Sequence, residues 1–173
     1  MERFTGSFTQ QEPIPEDGIE AAIAVRGARA LMIKPHPNQT LAELEHLARY
    51  HDPAAGVQVT QASIHDLLAA CDVALTVTSA VGFEAFLHKK PVVLGGQTDF
   101  WHNAVTLTDP ARLADAITLA LTRHWPHEKF LVWFLKHHSV EDSPAALPRV
   151  LNLLARKGYG FAGPVQGFFA PDP

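Results

Sequence analysis

A single cysteine in 173 residues excludes an internal disulfide, so any stable fold here rests on burial rather than on cross-links. Cys71 lies in Leu67-Leu68-Ala69-Ala70-Cys71 with nothing electropositive beside it, which predicts a buried thiol at a helix end rather than a reactive one. Positive charge is scarce too. Fourteen Lys and Arg against eighteen Asp and Glu leave a formal charge of −4, and apart from short pairs such as Lys89-Lys90 the cations are scattered, so there is no basic field to hold nucleic acid. No stretch approaches the roughly 18 to 20 apolar residues that cross a bilayer. No signal-like run follows Met1-Glu2-Arg3-Phe4. The expectation is a cytoplasmic protein without a transmembrane segment, compatible with peripheral attachment at the inner membrane. Ten histidines are present, yet His124/His127 and His137/His138 have no Cys or HExxH pattern around them and read as helix surface, not as a metal site.

What is present is 47% apolar residues in a chain near the common single-domain length, enough for a sizeable core. Residues 1–27, with Gln10-Gln11, Pro13, Pro15 and Asp17-Gly18, carry no sustained period and read as an irregular lead-in. Residues 28–140 read as alternating strands and helices. Ala28 to Lys34 is a buried strand closed by two prolines, Gly56 to Thr60 a short one, and Asp72 to Val77 a nearly continuous apolar run of the kind buried on both sheet faces. Pro91 to Gly96 and Ala104 to Leu107 follow as further strands. Between them Thr40 with Glu43 forms a capping box, Ser63 caps Ile64 to Ala70, a helix runs from Ala80 to His88, and Asp109-Pro110 opens another. Residues 141–173 hold a last helix and an irregular Gly/Pro/Phe tail. This order predicts an α/β, Rossmann-like parallel sheet with helices on both faces.

Ligands of such sheets sit beyond the carboxyl ends of the strands. Two segments reach that edge: Lys34-Pro35-His36-Pro37, and Thr78-Ser79-Ala80-Val81-Gly82-Phe83-Glu84-Ala85. Amides at a helix start lack intrahelical acceptors, and the macrodipole places about half a positive charge there, so an anion is stabilised without a Gly-rich loop. Two prolines hold His36, whose ring nitrogens suit a phosphate oxygen; the alternative is a plain turn residue. Lys34 adds charge if its strand face looks into the cleft. Thr78 and Ser79 serve as helix caps, and with the amides of Ser79, Ala80 and Val81 they are the groups a phosphate would use. Gly82, one turn inside, permits close approach of a ligand where alanine would favour the helix. Glu84 accepts from ribose hydroxyls, or simply complements the helix dipole. Gly95 to Trp101 either closes over a base or sugar or needs its glycines only as a loop, and His102 is a second polar contact or, as a lone loop histidine more often is, structural. Trp125, Phe130, Trp133 and Phe134 read as core or as a buried face for another domain. Nucleotide-sugar binding is the expectation, with no metal or cofactor required.

Lys34-Pro35-His36-Pro37, Ser63 to Asp72, Thr76 to Ala85 and Lys89 to Gly96 resemble the C-terminal half of the bacterial capsular polysaccharide biosynthesis family. The resemblance covers about Ala28 to Val140. That family includes β-Kdo transferases of GT-B architecture, in which two Rossmann-like halves enclose CMP-Kdo. The resemblance implies one such half, binding CMP-Kdo as substrate through His36, Ser79 and Glu84, with the late helices packing toward the other half. It also implies a glycan or glycolipid acceptor and an acceptor domain or capsule-assembly partner protein, because no acceptor half precedes the first strand read here. The alternatives are a catalytically silent assembly subunit, or a half like those of UDP-sugar epimerases and polyol-phosphate transferases.

Overall fold

A computed structural model of the chain describes residues 3–7, 16–156 and 158–159. Six strands, β1 (Arg3–Ser7), β2 (Ala30–Lys34), β3 (Val57–Val59), β4 (Val73–Thr76), β5 (Val92–Leu94) and β6 (Val105–Thr106), form one sheet in the order β3-β2-β1-β4-β5-β6. Every pair is parallel. The chain therefore builds outward from β1 in one direction, returns, and builds outward in the other, which puts the reversal between β1 and β4.

The expectation of an irregular lead-in over residues 1–27 is corrected. The central strand β1 and the helix α1 (Glu16–Val25) lie there. Ile19 and Ala22 of α1 are almost fully buried against the sheet, so the domain begins with Arg3–Ser7 rather than at Ala28. The part of that segment with Gln10-Gln11, Pro13 and Pro15 lies outside the described residues, as does most of the Gly/Pro/Phe tail.

Strand alternation sorts the helices. Leu31 and Ile33 of β2, Val57 of β3, Val73 and Leu75 of β4 and Val93 of β5 share one core with Ile19 and Ala22, with Leu47 of α2 (Leu41–Ala48), and with Leu113, Ala116, Ile117 and Ala120 of α5 (Leu113–Thr122). On the other face lies α4 (Val81–Leu87), whose Gly82 rests on Thr76. Leu67 and Leu68 of α3 (Ile64–Ala70) are also buried and lie outside that first core. Helices thus cover both faces, as β4 and β5, buried at every position, require. Cys71 is 1% exposed and its Sγ–H donates to the Leu68 carbonyl at 3.4 Å, consistent with a structural thiol.

Local signals account for the boundaries. Thr40 and Glu43 make the full capping box at the start of α2, whereas Ser63, the N-cap of α3, makes no side-chain bond. Asp109 Oδ1 accepts from the Ala111 amide and Pro110 follows, giving a short 3-10 turn before α5. Contacts divide the chain into two compact units, 1–131 and 132–173, so the boundary falls before the expected 140. Helix α6 (His127–His137) begins in the first unit, and α7 (Ala146–Arg156), a strongly amphipathic helix, belongs to the second. Among the described residues no helix is long and apolar enough to cross a membrane.

Candidate functional site

Register brings the two motif segments to one rim. Lys34 pairs with Ser7, and Gly6 pairs with Leu75, so Ser7 is level with Thr76 and the exits of β2 and β4 flank that of β1. Two strand spacings, about 10 Å, separate them. Lys34 and Thr76 also point to the same face of the sheet, the one covered by α4, since Ile33 and Leu75 face the other core. Lys34 is half-buried there, and among the described residues its ammonium makes no ion pair.

His36 follows the buried Pro35 and is itself half-buried. The Asn38 amide donates to its Nδ1 at 3.1 Å, which leaves the proton on Nε2 and makes that nitrogen a donor. Its own amide donates to Gln39 Oε1 at 2.8 Å, and the Gln39 amide donates back to the His36 carbonyl at 3.1 Å. The loop then enters the Thr40 capping box, so the imidazole is tied at the backbone on both sides. Hydrogen bonds from the Thr40 amide (2.7 Å) and hydroxyl (2.8 Å) hold the Glu43 carboxyl below the usual carboxylate range.

Across the rim, the turn from β4 to α4 is more self-contained than its sequence suggests. The Ser79 amide donates to Thr76 Oγ1 at 3.4 Å, and the Val81 amide donates to Ser79 Oγ at 3.1 Å. Of the three amides expected for a phosphate, only that of Ala80 has no acceptor among the described residues. Ala80, not Thr78 or Ser79, occupies the N-cap position. Thr78 is exposed at the rim, with its methyl facing Gly96. Glu84 is half-buried in the first turn of α4 and makes no side-chain hydrogen bond among the described residues.

Three expectations are corrected here. Gly82 does not open a path for a ligand: it is buried, and a Cβ on it would meet Phe100 at 3.0 Å and Thr76 at 3.1 Å. The segment after Gly96 does not close over the rim. Phe100 is buried against Phe83 and Phe86, and Trp101–Asn103 is a 3-10 turn that leads to the start of β6, at the opposite rim, taking His102 with it. His127 is not helix surface either. It is 6% exposed, stacks on Phe86 at 5.1 Å, and its Nδ1 accepts from the Asn103 side-chain Nδ2–H at 2.7 Å.

Sequence reasoning also missed a cavity. An apolar cleft of about 160 Å³ opens at the exits of β4 and β5, lined by Gly18, Ala21, Val77, Gly95, Leu107 and Leu113. Gly18 and Ala21 come from α1, which fell within the segment read as irregular. Among the described residues its lining carries no charged side chain, which suits an uncharged ring rather than a phosphate.

A family model described as capsule polysaccharide biosynthesis protein matches residues 3–132. No curated protein matches the chain. Among solved structures, the UDP-GlcNAc 2-epimerase of Methanocaldococcus jannaschii in complex with UDP-GlcNAc and UDP superposes with a TM-score of 0.58 at 14% identity, over 79% of this chain and 46% of that one. Anabaena HepE in complex with UDP and glucose gives 0.53 at 19% identity, over 69% and 38%. The wall teichoic acid polymerase TagF gives 0.51 at 13%, over 90% and 42%. The chain thus spans less than half the length of each of these structures, and at such identities the likeness is one of fold.

Proposed function

Because the chain belongs to the capsule polysaccharide biosynthesis family, we propose that it is the donor-binding half of a capsule glycosyltransferase, taking a nucleotide-activated sugar at the rim between β2 and β4. The observation that carries this reading is the placement of His36 and the Ser79-Ala80 turn on either side of β1, where the strand order reverses. His36 Nε2–H, the Ala80 amide and Lys34 supply a donor, a backbone N–H and a cation at one rim of the sheet. Ser79 Oγ, released from the Val81 amide, adds a hydroxyl. Together they match a phosphate and leave Glu84 to accept from a ribose hydroxyl.

In the proposed reaction the bond between the anomeric carbon and the phosphate oxygen breaks, and the electron pair leaves on the nucleotide phosphate. Donors held at that rim stabilise the developing charge. The base that takes the acceptor hydroxyl's proton belongs, on this reading, to an acceptor domain contributed by a further segment or a partner protein. CMP-Kdo is the donor proposed from the sequence resemblance. The solved structures similar in fold include complexes with UDP and UDP-GlcNAc, which supports UDP-sugar as the second reading.

Thermal unfolding of the chain with CMP, UDP and CDP-glycerol tests this. A ligand at 100 Kd adds about 2.7 kcal/mol, a shift of roughly 5 to 10 °C for a chain of this size. A shift with CMP alone supports a CMP-sugar, and a shift with UDP alone supports the second reading. If no nucleotide moves the midpoint, the donor site is not here.

A further inference from the structure

The opposite rim of the sheet carries a second cleft, about 490 Å³, where the end of α5 turns into α6 beside the start of β5. We propose that this cleft is a separate anion site, built for the phosphate group of a phosphomonoester and independent of the nucleotide rim. Among the described residues its charged lining is Lys89, Arg123 and Lys129 against Glu128, a local cationic excess on a chain whose formal charge is −4, and His124 and His127 are its other titratable members.

Arg123 is the centre of the site. Its guanidinium lies over the Trp125 indole at 4.6 Å. That indole is locked in turn, because its Nε1–H donates to the Ala120 carbonyl at 2.7 Å and its ring stacks with His127, which stacks on the buried Phe86. A chain of rings thus runs from the core to the cleft and carries the arginine at its end. Contact with the ring face restrains the guanidinium while leaving N–H groups to donate. Among the described residues those groups donate to no acceptor and pair with no carboxylate. Glu128, the nearest acidic candidate in the lining, is taken by Lys89 at 2.7 Å. A preorganised guanidinium without a carboxylate suits a bidentate oxyanion, for which it loses little rotamer freedom.

Two neighbours add to it. Lys129 lines the same cleft and makes no ion pair among the described residues. The first backbone bond of the helix runs from the Phe130 amide to the Pro126 carbonyl, so the amides of the first turn of α6 face outward without helical acceptors. The cleft is within the size range of small-molecule sites, and its one exposed ion pair does not close it.

The test is calorimetric titration of the full chain at low salt with inorganic phosphate and glycerol 3-phosphate, and co-sedimentation with phosphatidic acid vesicles. The variants are Arg123→Gln, Lys129→Gln and, as the control for the other rim, His36→Ala. The expected result is phosphomonoester binding that persists in His36→Ala and weakens roughly tenfold in Arg123→Gln, the usual cost of a charge-assisted hydrogen bond. Binding of the soluble phosphates assigns the site to a free metabolite. Vesicle binding that is lost in Arg123→Gln, with no soluble binding, assigns it to a lipid headgroup. Absence of both, or affinity unchanged in Arg123→Gln and Lys129→Gln, overturns the proposal. The nucleotide shift above is read separately, so failure of either site is seen apart from the other.

Discussion

Gly82 and Phe100 are in contact through the missing side chain of the first: a Cβ on Gly82 would lie 3.0 Å from Cε2 of Phe100. Phe100 cannot retreat, because it is 5% exposed and the rings of Phe83 and Phe86 stand 5.9 Å from its own. The glycine therefore lets α4 settle onto Thr76 of β4, one turn inside the helix that the Ser79-Ala80 turn opens.

Gly82→Ala is accordingly expected to destabilise the protein. Overpacking costs about 1 to 3 kcal/mol, against about 1 kcal/mol gained from helix propensity, so the net loss is at most about 2 kcal/mol and its size depends on how far Phe100 can give. Urea unfolding measures it, and Phe100→Leu in the same background should recover part of the loss. A Gly82→Ala protein more stable than the parent would show that Phe100 has room to move.

That contact also shows where sequence reading stops. The spacing of Gly82 inside a helix was visible, but its neighbour lies eighteen positions away and no periodicity announces it. Strands such as Val73–Thr76 were legible because burial on both faces leaves an unbroken apolar run. Central strand β1, Arg-Phe-Thr-Gly-Ser, has no such run although it pairs on both sides, and the prolines and Asp17-Gly18 after it hid the short period of α1. His36 and the Ser79 turn were legible because strand exits in α/β folds carry their own punctuation. That the turn would bond to itself was not, since it depends on Thr76 Oγ1 pointing to the α4 face.

His36 separates binding from folding. If its Nε2–H meets a phosphate, His36→Ala should weaken nucleotide binding by roughly 10- to 100-fold, since a hydrogen bond to a charged group contributes about 1.5 to 3 kcal/mol. The bond from the Asn38 amide to Nδ1 is lost as well, but in a partly exposed loop water replaces it, so the unliganded midpoint should move by about 1 kcal/mol or less. Calorimetry with the nucleotide that shifts the parent, together with thermal unfolding without it, reads both. A large fall in bare stability with unchanged affinity would make His36 a turn residue and nothing more.

Thr40 ties that loop to α2. Thr40→Ala removes the side-chain half of the capping box, and losses at N-caps run about 0.5 to 2 kcal/mol. The same substitution should let the Glu43 carboxyl titrate closer to its ordinary value, because one of the two hydrogen bonds that depress it, the hydroxyl's, is gone while the backbone one stays. Folded-state depression of an acid means stability present above its unfolded pKa and lost as pH falls through the folded one. The parent should therefore show more acid loss near pH 4 than Thr40→Ala. NMR titration of Glu43 in the two proteins decides it, and identical curves would mean that the hydroxyl contributes nothing.

His127 sets a pH dependence of the opposite chemical kind. Burial, and then the neighbouring charge of His124, push its pKa below the usual histidine value. In the unfolded chain the ring takes a proton near pH 6.5, while the folded protein, with Nδ1 occupied by the Asn103 side-chain amide and Phe86 against its face, resists it. The unfolded state then binds more protons, so stability is full above about pH 6.5 and falls as pH drops through that value toward the folded pKa, below which the loss levels off. Thermal midpoints measured from pH 7.5 to 5.0 should decline, and His127→Phe should flatten that decline. The substitution leaves the Asn103 side-chain amide without its acceptor, so the variant is expected to be less stable at every pH; the slope, not the height of the curve, carries the test. An equal slope in both proteins would place the titrating group elsewhere among the remaining histidines.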